Sequence, residues 1–83
     1  MKEAKIIRKF IVENFLFGED ENLRKDTSLL ESGIINSVGI LELVLFLEET
    51  FEFTVEDEEL IPENLDSIAN IANYVQKRIG AQR

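Results

Sequence analysis

Few side chains in this sequence could do chemistry, and one of them has a distinctive setting. Ser37 lies in SGIINSVGILELV (residues 32–44), after Gly33, two isoleucines and Asn36, and a helix-like apolar run begins directly behind it. A serine in that position is either a plain helix cap or a hydroxyl set out for modification. It cannot belong to a His-based hydrolytic triad, because the 83 residues contain no His. That absence also removes the commonest general base and metal ligand. There is no Cys, hence no disulfide and no thiolate metal site.

The charge pattern narrows the possible partners. Seventeen acids stand against nine bases, a net charge of −8. Such a surface is a poor match for nucleic acid. From Asp26 to Gln76 there is no Lys or Arg, while the same stretch holds 12 acids. Either these acids only keep a small protein in solution, or they form a field that attracts basic partners.

The elements that must position Ser37 follow from periodicity. Ile6, Ile7, Phe10, Ile11, Phe15 and Leu16 recur at helical spacing, which predicts an amphipathic helix over about residues 3–17. GEDEN (residues 18–22) ends it, with Gly18 as the C-cap. A long connection to Asn36 follows, and loops of that length are usually functional. Leu23, Leu29, Leu30, Ile34 and Ile35 can pin it to the core, and DTSLLESG is expected to hold a turn. A second helix is predicted over about residues 37–51, at ~100° per residue. Ile40, Leu43, Val44, Leu47 and Phe51 form its core stripe. Val38, Leu41 and Leu45 form a second stripe beside Ser37, interleaved with Glu42, Glu48 and Glu49. That stripe is either a docking surface for another protein or the second buried side of a central helix. Phe46 falls on neither stripe.

Further along, Phe53 and Val55 alternate as in a short strand, but no partner strand is available, so a loop is predicted there. A short third helix is expected near residues 56–61, ended by Pro62. Leu65, Ile68, Ile71, Ala72, Val75 and Ile79 then predict a last helix over about residues 65–79. Asn64 or Asp66 suits its N-cap, and Lys77 and Arg78 suit its C-terminal dipole. The fold expected is all-α: one domain spanning 1–83, a small four-helix bundle of three main helices and one short one, with a long first loop. No signal peptide or membrane span is visible, so a soluble, cytoplasmic monomer is expected.

With these elements in place, LLESGIINSVGILELVLFLEETFEFTVEDEEL (residues 29–60) resembles the central segment of the acyl carrier protein family. That family has a Gly-containing loop ending in Asp-Ser-Leu, then a Glu-Leu pair, a Leu-Glu-Glu run and a Phe. The matching residues here are Gly33, Asn36, Ser37, Val38, Glu42, Leu43, Leu47, Glu48, Glu49 and Phe51. SIANIANYV (residues 67–75) is similar to the family's last helix. The resemblance implies a carrier, not an enzyme, whose Ser37 bears a 4′-phosphopantetheine arm derived from coenzyme A. Its thiol would hold acyl groups as thioesters, as in fatty acid, polyketide or related biosynthesis. The implied partners are a phosphopantetheinyl transferase and acyl-transferring and acyl-modifying enzymes with basic docking patches. These would meet Asn36, Val38, Leu41, Glu42, Leu45, Glu48 and Glu49. A cofactor that brings its own thiol accounts for a chain without Cys or His.

Asp66-Ser67-Ile68 matches the family's tripeptide more literally than Asn36-Ser37-Val38 does. It lacks the preceding Gly loop and the Glu-Leu and Leu-Glu-Glu sequence behind it, so Asp66-Ser67 reads as the cap and first turn of the last helix. Asn36 replaces the family's Asp, Val38 its Leu, and Glu56 a frequent Pro. Gly39 is unusual early in a helix, where Gly costs up to ~1 kcal/mol against Ala; it either lets a partner approach or is neutral. These departures point to a specialised carrier. An aminoacyl or peptidyl carrier and an unmodified acidic helical adaptor are the alternative readings.

Overall fold

The computed structural model describes residues 2–18 and 23–81, and these form a helical bundle. Its elements are α1 (Lys2–Phe15), α2 (Ser37–Phe51), a 3-10 turn (Asp57–Glu59), α3 (Pro62–Leu65) and α4 (Ile68–Ala81). The all-α class and the three long helices follow the hydrophobic periodicity. No strand forms among the described residues, so Phe53 and Val55 lie on irregular chain.

The core is built where the sequence repeats apolar residues every three or four positions. Ile7 and Ile11 from α1, Leu43 and Leu47 from α2, and Ile68, Ile71, Ala72 and Val75 from α4 are buried together. Full burial of each Ile, Leu or Val side chain among them contributes roughly 1.5–3 kcal/mol. Helix α1 packs chiefly on α4. The long loop is held by Leu23, Leu29 and Ile35, which are buried, and by Ile34, which is partly so. Leu30 is exposed instead. DTSLLESG does contain a turn, closed by Ser32 N–H to the Ser28 carbonyl at 3.1 Å. Of GEDEN, residues 19–22 lie outside the described residues. Phe17 and Gly18 both take positive φ after the end of α1, so the left-handed turn that closes the helix begins at Phe17, one residue before the expected Gly18.

Three local expectations change. The third element is not a helix over 56–61 but a single 3-10 turn, and Pro62 does not end it. Pro62 instead opens α3 at its first turn, where a missing N–H costs nothing. Helix α4 starts at Ile68, and neither Asn64 nor Asp66 caps it. The Ser67 hydroxyl does so, accepting from the Asn70 amide at 3.1 Å. Asn64 instead donates to the Glu59 carbonyl. Phe46 also finds its place: it stacks on Phe10, with ring centroids 4.0 Å apart and planes 15° from parallel. This stack joins α1 to α2.

Beyond the helices, Glu59 ties the 3-10 turn to α4. Its carboxylate accepts from the Glu56 amide at 3.0 Å and the Tyr74 hydroxyl at 3.0 Å, and it pairs with Arg78. The Arg78 guanidinium lies over the Phe53 ring, 5.3 Å from its centroid. Arg78 thus has a specific partner besides the helix dipole.

Candidate functional site

The long loop delivers the chain to Ser37, and the way α2 begins decides what that serine can do. Asn36 takes the N-cap position with extended backbone, and its side-chain oxygen accepts from the Gly39 amide at 2.8 Å. Ser37 is the first residue of the helix and is exposed. Its hydroxyl makes no hydrogen bond among the described residues, so the cap reading of Ser37 passes to its neighbour. The amides of Ser37 and Val38 are likewise without a partner among those residues. No acid lies in the first turn of α2, so nothing offsets the positive end of the helix dipole there. A phosphate ester on Ser37 fits this environment, because free N–H groups and the dipole both favour an anion.

Gly39 is buried, and its smallness serves this chain itself. A Cβ there would come within 2.9 Å of Ile35 Cγ2 and 2.9 Å of Phe15 Cε1. The start of α2 is therefore pressed against the last turn of α1 and against the loop residue just before the cap. The space that Gly39 leaves is filled from within rather than by a partner.

The second stripe of α2 is a free surface. Val38, Leu41 and Leu45 are 66%, 60% and 58% exposed. On a helix wheel Ser37, Glu48, Leu41, Leu45, Val38, Glu49 and Glu42 share an arc of about 140°. The reading in which α2 is buried on two sides is thus overturned. Glu42 and Glu49 are exposed, but Glu48 is not free: its carboxylate accepts from the Val55 amide at 2.9 Å. Glu48 anchors the chain leaving α2 as well as lining the stripe.

Ser67 is in the opposite situation. It is 6% exposed and its hydroxyl is committed to the α4 cap. Its neighbour Asp66 holds the long loop, accepting from the Ser28 hydroxyl at 2.7 Å and the Leu30 amide at 3.0 Å. The sequence offers Asp66 only as a cap, because contacts spanning 38 and 36 residues leave no periodic trace.

A solvent-facing serine without a side-chain partner among the described residues thus heads α2, beside an acid-rimmed apolar stripe. A family model for the phosphopantetheine attachment site matches residues 13–75, and the chain belongs to that family. It is 34% identical to a D-alanyl carrier protein of Abiotrophia defectiva over 65 residues, covering 76% of this chain and 82% of that one. It is 35% identical to an acyl carrier protein of Campylobacter curvus over 71 residues, covering 86% and 88%. It is 32% identical to the probable acyl carrier protein PigG of Serratia sp. over 77 residues, covering 93% and 87%. Among solved structures, a chain from a crystal structure of an FAD-dependent dehydrogenase superposes with a TM-score of 0.75 at 26% identity, covering 83% of this chain and 97% of that one. This is a carrier protein with a 4′-phosphopantetheine prosthetic group.

Proposed function

We propose that Ser37 is the attachment residue and that the chain, as a single domain, carries acyl groups between partner enzymes. The observation that carries this reading is the exposed Ser37 hydroxyl, left uncommitted because Asn36 caps α2. The bound arm supplies a terminal thiol that holds cargo as a thioester. The Ser37 oxygen would hold the arm through a phosphodiester, formed as the pyrophosphate bond of coenzyme A breaks and adenosine 3′,5′-bisphosphate leaves, and the open amides of the first turn of α2 would stabilise its charge. Val38, Leu41 and Leu45 offer apolar contact to partners, and Glu42, Glu48 and Glu49 steer basic patches towards it. A phosphopantetheinyl transferase and acyl-transferring enzymes are the partners this implies, met by a cytoplasmic monomer.

Intact mass tests the site. Incubation with coenzyme A and a phosphopantetheinyl transferase should add the mass of the arm to the wild type and to Ser67→Ala, and nothing to Ser37→Ala. Retention of the mass gain in Ser37→Ala would remove Ser37 from the site. No gain in any of the three would favour the unmodified adaptor.

The D-alanyl carrier relative favours a second reading, in which the cargo is aminoacyl. Loading the modified protein with acyl and with aminoacyl donors in parallel separates the two, since only the true cargo class should accumulate as a thioester.

A further inference from the structure

The long loop that ends at Ser37 is fastened to the start of α4, and the fastening converges on one residue. The Asp66 carboxylate accepts from the Ser28 hydroxyl at 2.7 Å and from the Leu30 amide at 3.0 Å. The Asp66 carbonyl accepts from the Leu29 amide at 2.7 Å. One turn further along, the Ala69 amide donates to the Lys25 carbonyl at 2.9 Å. The loop then passes the constraint forward. The Ile35 amide donates to the Leu29 carbonyl at 3.0 Å, and the Ile35 side chain is buried against Gly39. Asn36 and Ser37 follow directly. Three acceptor oxygens of Asp66 thus fix residues 28–30, these fix Ile35, and Ile35 sets the point from which α2 departs.

We infer that Asp66 is a positioning residue for Ser37. It acts through the Ser28–Ile35 segment, holding the hydroxyl where a modifying enzyme docked on α2 can reach it. The inference rests on Ser37 being the attachment residue. Misplacing a reacting group by about 1 Å can cost on the order of a hundredfold in rate, so a loosened loop should act on turnover. Docking should be spared, because the exposed stripe of α2 has its own cap and its own helical backbone.

The test is the steady-state kinetics of arm transfer from coenzyme A to the wild type, Asp66→Ala, Asp66→Asn and Ser28→Ala. Backbone amide hydrogen exchange of residues 28–39 is measured on the same unmodified proteins. Asp66→Ala should lower kcat by about tenfold or more with KM for the carrier within about twofold. It should also speed exchange at Leu29, Leu30 and Ile35. Asp66→Asn keeps an oxygen for the Leu30 amide and gains an N–H for the Ser28 oxygen, so it should recover most of the rate and the protection. If Asp66→Ala does not fold, Ser28→Ala carries the same test with a smaller fall in kcat. Unchanged kcat in every folded variant, or a loss confined to KM, would overturn the inference. A wild type that gains no mass would instead overturn Ser37 as the attachment residue, and the exchange data would still decide the clamp.

Discussion

Asn36 and Gly39 share a hydrogen bond of 2.8 Å, side-chain oxygen to backbone amide, across the first turn of α2. Asp would make the same bond, so Asn36→Asp tests charge with the cap held constant. The family pattern has Asp here, which argues for faster arm transfer by a general phosphopantetheinyl transferase. Melting temperature should rise slightly or stay level, because an acid at a helix N-terminus is favourable by about 0.3–1 kcal/mol. Slower transfer to Asn36→Asp would show that the added charge acts against the incoming phosphate and not through recognition. Asn36→Ala should cost about 1 kcal/mol in urea unfolding, the usual loss for a removed cap.

Gly39→Ala sets two effects against each other. Alanine gains up to ~1 kcal/mol of helix propensity. Its methyl would meet Ile35 and Phe15 at 2.9 Å, closer than packed carbons tolerate. Overpacking of this kind typically costs about 1–3 kcal/mol, so the net expected is a loss. Chemical denaturation checks the sign. A stabilised Gly39→Ala would mean that the loop and α1 yield at no cost.

The docking surface is tested by charge reversal. Glu48 holds the Val55 amide, so its reversal would disturb the fold along with the surface. Glu42→Lys with Glu49→Lys should keep the fold, because both acids are exposed, and it reverses two charges of the patch. Each exposed ion pair is worth only ~0–1 kcal/mol, hence the pair of changes. The double variant should slow arm transfer and flatten its salt dependence, since steering fades as the Debye length falls from ~10 Å at 0.1 M to ~3 Å at 1 M. Glu3 accepts from the Gln76 side chain at 3.1 Å, so the control of equal net charge is Glu13→Lys with Glu63→Lys, two exposed acids outside α2. Equal slowing by both pairs would leave net charge as the only cause and remove the claim of the α2 stripe.

Tyr74, the single tyrosine of the chain, reports on the 3-10 turn. Burial pushes its phenol up to about 12, helped by its hydrogen bond to Glu59 and the charge there. The folded state therefore favours the neutral phenol. Its contribution to stability is whole below pH 10 and is lost as pH rises from 10 towards 12. Phenolate absorbance of the folded protein should stay low through pH 10, and Glu59→Gln should bring the midpoint down. A wild-type midpoint at the value of free tyrosine would show that the turn is not closed over α4.

Much of this arrangement was legible in the sequence. The three long helices and the position of Ser37 at the head of α2 follow from apolar spacing, which local physics dictates. The boundary at Pro62 differs from the sequence expectation because proline serves as well to begin a helix as to end one. The caps at Ser67 and Asn36 were each one residue from an equally suitable side chain, and only backbone direction chooses between them. Phe46 could not be placed because its partner, Phe10, lies on another helix. Asp66 was invisible as a clamp for the same reason: both its carboxylate bonds reach across the fold.

The packing of α1 on α4 also orders events in time. The platform under Ser37 draws Phe15 from α1 and Asp66 from the threshold of α4. During synthesis Ser37 emerges well before Asp66, and α1 lacks its chief packing partner until residues 68–81 follow. Contacts that far apart in sequence form late, after the closure entropy of the intervening chain has been met. A ribosome-bound chain that stops short of α4 is therefore expected to display its serine without presenting it, and so to be a poor substrate for the transferase. Arm attachment would then mark only chains whose folding is complete.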